Sequence, residues 1–170
     1  MAEFIKVQGE ELIRRASKLA FDIWREHYIP IVGEGQVEYM LDKFQSERAI
    51  SGSIADGCDY YLTEADGQDA GYFALKIEPD GKAFLSKFYV AKGFRGQGLG
   101  RKSFEFVKRL AQKRQAEEIY LTVNKNNSDS IGIYEKLGFE NRGSIVMDIG
   151  GGYKMDDYKM VFDLTVPSNR

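Results

Sequence analysis

The chain has 170 residues, 43% hydrophobic and 29% charged, with a formal net charge of -2. That composition excludes a disordered or fibrous chain, and the length suits a single domain over 1–170. The charge excludes a general electrostatic grip on nucleic acid, and no apolar run reaches the roughly 18 residues that a membrane span needs.

A chain of this size buries about 68–70% of its unfolded surface, so it needs no disulfide or metal staple. The single cysteine, Cys58, cannot form an internal bridge and reads as a small buried hydrophobe in a strand. One cysteine fits a reducing, cytoplasmic compartment, and the N-terminus lacks a signal-peptide pattern. Basic residues cluster from Lys82 to Arg114, which points to a local anionic ligand. A solvated helix face explains Lys108, Lys113 and Arg114 equally well.

Phe4 to Val7 reads as a short strand, broken by Gly9. Glu10 to His27 carries Leu12, Ile13, Ala16, Leu19, Ala20 and Ile23 on one stripe, which predicts a helix ended by Pro30 and Gly33. Glu38 to Phe44 reads as a second helix and Ser46 to Ala55 as a third. Cys58 to Thr63, Ala70 to Ile77 and Ala83 to Val90 then read as a three-stranded antiparallel meander, turned at Asp66-Gly67 and Pro79-Asp80-Gly81.

Gly98 to Gln115 has helical spacing at Leu99, Ser103, Phe106, Val107, Leu110 and Ala111. Glu118 to Val123 alternates as a strand, and the intervening helix predicts that it runs parallel to the strand before it. Ser130 to Leu137 reads as a short helix with Gly138 as its C-terminal cap. Ser144 to Ile149 is a strand, Gly150-Gly151-Gly152 a mobile loop, and Tyr158 to Val166 the last strand. This order predicts an α/β fold, with one mixed sheet flanked by helices.

The stretch from Phe84 to Ser103 passes from an apolar strand through a glycine-rich cationic loop into a helix. Unpaired amides at a helix start, together with the helix dipole, favour an anion such as phosphate. Two common phosphate loops fail by spacing. The glycines at 93, 96, 98 and 100 do not make G-x-G-x-x-G, and Gly100 is followed by Arg101 where G-x-x-x-x-G-K-[ST] needs Lys.

What the loop does contain is Arg95-x-x-Gly98-x-Gly100. It resembles motif A of the GCN5-related N-acetyltransferases, [QR]-x-x-G-x-[GA]. Asn127, Tyr134 and the ending Gly138-Phe139 resemble motif B of the same family. The resemblance covers Cys58 to Leu164, and the N-terminal helices match in element order only. It implies a central, mostly antiparallel sheet of about seven strands, with two splayed parallel strands at the cofactor site. It also implies an enzyme that moves an acetyl group from acetyl-coenzyme A directly to a primary amine, through a tetrahedral intermediate and without a metal.

By the same resemblance, the backbone of Phe88, Tyr89 and Val90 faces the pantetheine arm and the thioester. The amides of Arg95, Gly96, Gln97, Gly98, Leu99 and Gly100 hold the pyrophosphate, with Arg101 and Lys102 adding charge. The Arg95 side chain either reaches a phosphate or fixes the loop. Tyr134 is the implied acid that protonates the leaving thiolate, a step typically worth ~10²–10⁴-fold; the alternative is a tyrosine packed on a core helix. Asn127 either contacts the coenzyme or caps its helix, and Lys136 either meets a nucleotide phosphate or is solvated.

No carboxylate occupies Phe84 to Val90, where some family members carry a base; Ser86 and Lys87 stand there instead. The expected acceptor mouth, Arg25 to Tyr39 and Asp148 to Asp157, holds Glu26, Glu34, Glu38, Asp148, Asp156 and Asp157, and suits a cationic amine. His27 lies in the same region. The segment from Gly143 to Asp148, with Asp157-x-x-Met160, is similar to bacterial diamine/polyamine acetyltransferases of that family. The expected partner is a small-molecule or protein amine, not nucleic acid or membrane, with a homodimer left open. A non-catalytic acyl-coenzyme A sensor on the same fold is the alternative, and a nucleotide-binding regulator a third reading.

Overall fold

A computed structural model describes residues 2–165. Its elements are β1 (Ala2–Lys6), α1 (Glu10–Val32), α2 (Glu34–Met40), a π-helical turn (Leu41–Gln45), α3 (Glu47–Ala55), β2 (Asp59–Ala65), β3 (Gln68–Ile77) and β4 (Ala83–Val90). After a 3₁₀ turn (Lys92–Phe94) come α4 (Leu99–Lys113), β5 (Glu118–Asn124), α5 (Ser128–Leu137), β6 (Glu140–Gly150) and β7 (Tyr153–Asp163). The strands form one seven-stranded mixed sheet in the order β1-β2-β3-β4-β5-β7-β6. The chain divides into two compact units, Met1–Leu75 with Lys87–Ser103, and Lys76–Ser86 with Phe104–Arg170.

In the first unit, β1 pairs antiparallel with β2, and β2 with β3. The apolar stripe of α1 buries Ala16, Leu19, Ala20, Ile23 and Trp24. It meets a sheet face that carries Tyr72, whose hydroxyl accepts from Trp24 Nε1 at 3.2 Å and donates to Gln45 Oε1 at 3.0 Å. Tyr72 is 1% exposed, and desolvation holds its phenol well above the ordinary value, so it stays a neutral donor. Phe4, Tyr61 and Phe88 pack around Phe73 through ring contacts. Burying the Phe73 ring, which is 1% exposed, is worth about 1.5–3 kcal/mol.

The first helix departs from the sequence expectation. It runs through Pro30 to Val32 and ends where the Gly33 amide donates to the Ile29 carbonyl at 2.9 Å. A proline in the last turns removes only its own N–H bond, and the remaining turn is closed by Gly33. The second helix starts earlier than expected, at Glu34, and widens to a π turn over Leu41–Gln45. Ser17 Oγ donates to the Gln45 carbonyl there at 2.7 Å, a bond between distant residues.

In the second unit, β4 and β5 form the expected parallel ladder, Ala83↔Ile119 and Phe84↔Tyr120. Both strands continue past it, β4 to Val90 and β5 to Asn124. β5 alternates, with Ile119, Leu121 and Val123 buried. Phe104 of α4 packs on Phe139 and Phe162 with ring centroids 5.1 Å apart in each case. β7 pairs antiparallel with both β5 and β6. The last two strands are longer than expected and form a hairpin, with Gly150 paired to Tyr153. β7 ends at Asp163; Val166, the expected strand end, lies outside the described residues.

Candidate functional site

The glycine-rich loop is built by local geometry. Gly96 and Gly98 take φ of +78° and +80°, a region that a side chain disfavours. A Cβ at either position would meet nothing within 4 Å, so the backbone lies open on its outer side. α4 starts at Leu99, and the Lys102 amide returns to the Gly98 carbonyl at 3.1 Å. Gln97 Nε2 donates to the Gly93 carbonyl at 3.4 Å, while Arg101 and Lys102 are exposed. An open amide turn at a helix start beside two free-standing cations fits the phosphates of a coenzyme.

Arg95 is fixed within the chain. Its Nε donates to the Val90 carbonyl at 2.8 Å, and its Nη1 lies 2.9 Å from Glu26 Oε1. The Val90 carbonyl is therefore engaged internally. Nearby, Tyr89 packs on Trp24, Tyr28 and Tyr72 with centroids 5.2–6.1 Å away. The Tyr89 carbonyl also approaches Gly71 so closely that a Cβ there would collide with it. The Ala91 amide donates to the Ala70 carbonyl at 2.7 Å. Lys87, standing where a carboxylate base was absent, is held below its ordinary value by desolvation, with the Cys58 thiol pulling the other way.

In the second unit, Asn127 is the N-cap of α5 and accepts from the Ser130 amide at 3.4 Å. It is 2% exposed. The expected C-cap holds: Gly138 has φ +111°, its amide donates to the Glu135 carbonyl, and Phe139 donates to the Tyr134 carbonyl at 3.0 Å. The Tyr134 ring sits edge-on to Phe139 at 5.8 Å. No residue of α5 is buried, although Ile131, Ile133, Tyr134 and Leu137 are all on it. Lys136 is exposed.

The carboxylates expected at an acceptor mouth are mostly paired internally. Glu26 holds Arg95, Arg25 forks onto Glu38 at 2.8 and 3.0 Å, and Lys125 pairs with Asp156 at 2.8 Å. Asp148 accepts from the Gly150 amide. His27 lies within α1, edge-on to Tyr28 at 4.8 Å, rather than at the helix end. Asp157 differs from the rest. It is 2% exposed, and burial pushes its carboxyl up to about 6, against a hydrogen bond from Thr122 that favours the charged form. The sequence grouped Asp157 with the other acceptor-mouth carboxylates because the expected last strand began one residue later, at Tyr158. The strand in fact starts at Tyr153, so Asp157 lies inside it, paired with Asn124.

Residues 17–139 match the model of the acetyltransferase (GNAT) family, and the chain belongs to that family. A 136-residue stretch is 31% identical to an uncharacterised N-acetyltransferase of Mycobacterium bovis, spanning 79% of this chain and 86% of that one. A spermine/spermidine N(1)-acetyltransferase of Bacillus subtilis is 26% identical over 102 residues, 54% of this chain and 67% of that one. Among solved structures, the PaiA N-acetyltransferase of Thermoplasma acidophilum in complex with coenzyme A superimposes with a TM-score of 0.80 at 22% identity. It covers 96% of this chain and 99% of its own. At that identity the likeness establishes the fold. Among the described residues no helix is long and apolar enough to cross a membrane.

Proposed function

We propose that this chain transfers an acetyl group from acetyl-coenzyme A to a primary amine, of a polyamine or of a protein. The observation that carries the reading is the open amide turn at Gly96 and Gly98, feeding α4 inside a matched acetyltransferase family region. Acetyl-coenzyme A supplies the acyl thioester. The amides from Arg95 to Gly100 hold its pyrophosphate, with Arg101 and Lys102 adding charge, and the β4 backbone at Phe88 and Tyr89 aligns the pantetheine arm. Arg95 itself keeps the loop in shape through Val90 and Glu26.

In the second unit, Tyr134 is the proton donor to the departing sulfur. Its turn is pinned by the Phe139 amide, which supports a fixed phenol. Asn127 sets the start of the same helix. The polyamine choice is supported by the Bacillus subtilis relative named for spermine and spermidine. The test is calorimetry with acetyl-coenzyme A, followed by thiol release with spermidine, amino acids, aminoglycosides and N-terminal peptides. Saturable binding and thiol release with an amine are expected. Absence of binding would sink the reading, and binding without thiol release would make the chain a coenzyme sensor.

A further inference from the structure

Asp157 is the carboxylate whose chemistry the chain leaves unfinished. On β7 it is the cross-strand partner of Asn124, the last residue of β5, and of Ile145 on β6. Cross-strand partners share one face of a sheet, so Asp157 lies on the face of Asn124 and Thr122. That face of β5 is half-buried at every position, whereas Ile119, Leu121 and Val123 fill the other completely.

Thr122 gives the carboxylate one hydrogen bond. Its Oδ1 is buried with no hydrogen-bond partner. A buried carboxylate oxygen without a donor is costly, and it calls for an N–H or O–H from outside the chain. The charged groups that act on it are Asp156 and Lys125, and those two pair with each other. Its β6 partner Ile145, between Ser144 and Val146, brings no charge, nor does the α5 cap Asn127. Lys159 shares that face, opposite Thr122, but its Nζ lies over the Tyr120 ring, 4.7 Å from the centroid. Among the described residues no cation is therefore dedicated to Asp157, and a cationic ligand would supply one.

We propose that Asp157 is the proton acceptor for the amine substrate, with Oδ1 taking a proton from the incoming ammonium, directly or across one water. The assignment rests on the acetyl-transfer reading above. The N–H bond of the ammonium breaks, an O–H bond forms at Oδ1, and the nitrogen keeps its electron pair for attack on the acyl carbon. Two charges become two neutral groups, a change that a buried site favours. Burial has already raised the carboxyl to about 6, nearer the range where a base works at neutral pH.

The experiment is the pH dependence of kcat/KM by thiol release, run with spermidine and with an alanine-terminated peptide. The wild type should lose activity on the acid side with a midpoint near the raised value. Asp157→Asn should lower kcat/KM by about 10²-fold or more and abolish that acid limb, with coenzyme A affinity by calorimetry unchanged. Thr122→Val removes the bond that favours the charged form, so its midpoint should move to higher pH. As a readout without turnover, the Asp157 carboxyl signal in 13C NMR should shift its titration to lower pH when the better amine joins the coenzyme A complex. An Asp157→Asn enzyme with wild-type rate and profile overturns the assignment alone. If that variant fails to fold, an unmoved Thr122→Val midpoint or an unmoved NMR titration overturns it instead. Coenzyme A binding with neither amine acetylated removes the acetyl-transfer reading and this assignment with it.

Discussion

Arg95 and Glu26 form an ion pair, 2.9 Å from Nη1 to Oε1, that ties the first position of the glycine-rich loop to α1. The same guanidinium donates to Val90, the last residue of β4. One side chain thus links a strand end, a loop and a helix. The pair is only half-buried, so by itself it is worth less than about 1 kcal/mol. In the proposed reaction it holds the loop ready before the coenzyme arrives.

Glu26→Gln should accordingly leave the coenzyme A dissociation constant within about threefold, because the Val90 bond still fixes Arg95. Arg95→Ala removes both ties and should weaken binding by about tenfold, or ~1.4 kcal/mol. Calorimetry on the two variants decides this; equal losses would mean that the Glu26 pair, not the carbonyl bond, sets the loop.

Gly71→Ala should be strongly destabilising. The new methyl would run into the Tyr89 carbonyl oxygen, with Val90 Cα at 3.4 Å, and backbone cannot swing aside as a flexible side chain can. Overpacking of this kind costs typically ~1–3 kcal/mol. Urea unfolding should show the midpoint falling with an unchanged slope. A neutral result would mean that β4 yields easily at Tyr89.

Tyr134→Phe keeps the ring that meets Phe139 at 5.8 Å and removes only the hydroxyl. Turnover should fall about 10²-fold or more while coenzyme A affinity and stability stay near wild type. Unchanged turnover would return Tyr134 to a packing role.

Asp157 also makes a stability prediction that needs no substrate. Its carboxyl rises from an ordinary value of 3.8 to about 6 on folding, mainly through burial. Between those values the folded state holds the proton and the unfolded state does not. Stability from this group is therefore full below pH 3.8, falls as pH rises to 6, and is flat above. Relative to Asp157→Asn, the wild type should lose about 2 kcal/mol of unfolding free energy between pH 4 and pH 7. Denaturant unfolding at the two pH values measures it, and parallel pH dependences would show that the carboxyl is not raised.

Tyr72→Phe should cost about 1–3 kcal/mol. It removes the hydroxyl between Trp24 and Gln45 and strips Gln45 Oε1 of the Tyr72 donor in a residue that is 0% exposed. Thermal unfolding reads the loss, and Gln45→Leu in the same background should recover part of it, since Gln45 Nε2 already lacks a partner.

Most of the strand and helix pattern was legible because it is written in short-range periodicity. The alternation at Ile119, Leu121 and Val123 reaches the core as expected, as do Ala16, Leu19, Ala20 and Ile23 of the α1 stripe, while Leu12 and Ile13 stay half-buried. The π turn at Leu41–Gln45 was not legible, since nothing local distinguishes it from ordinary helix. It coincides with bonds from Ser17 and Tyr72, which are 28 and 27 residues away in the chain. β6 was read short because its start, Glu140, Asn141 and Arg142, is polar and exposed at every position, leaving no alternation to see.

The sequence by itself determined the strand–loop–helix at Arg95-x-x-Gly98-x-Gly100, the cap at Gly138 and the parallel run of β5, because each follows from neighbours within a few residues or from one crossover rule. Only the tertiary structure decided which charges are spent and which remain. Glu26, Glu38 and Asp156 look alike with Asp157 in one dimension, yet the first three find cations across space and the fourth is buried with an unanswered oxygen. Burial and pairing belong to contacts between distant segments, and those exist only once the chain has closed.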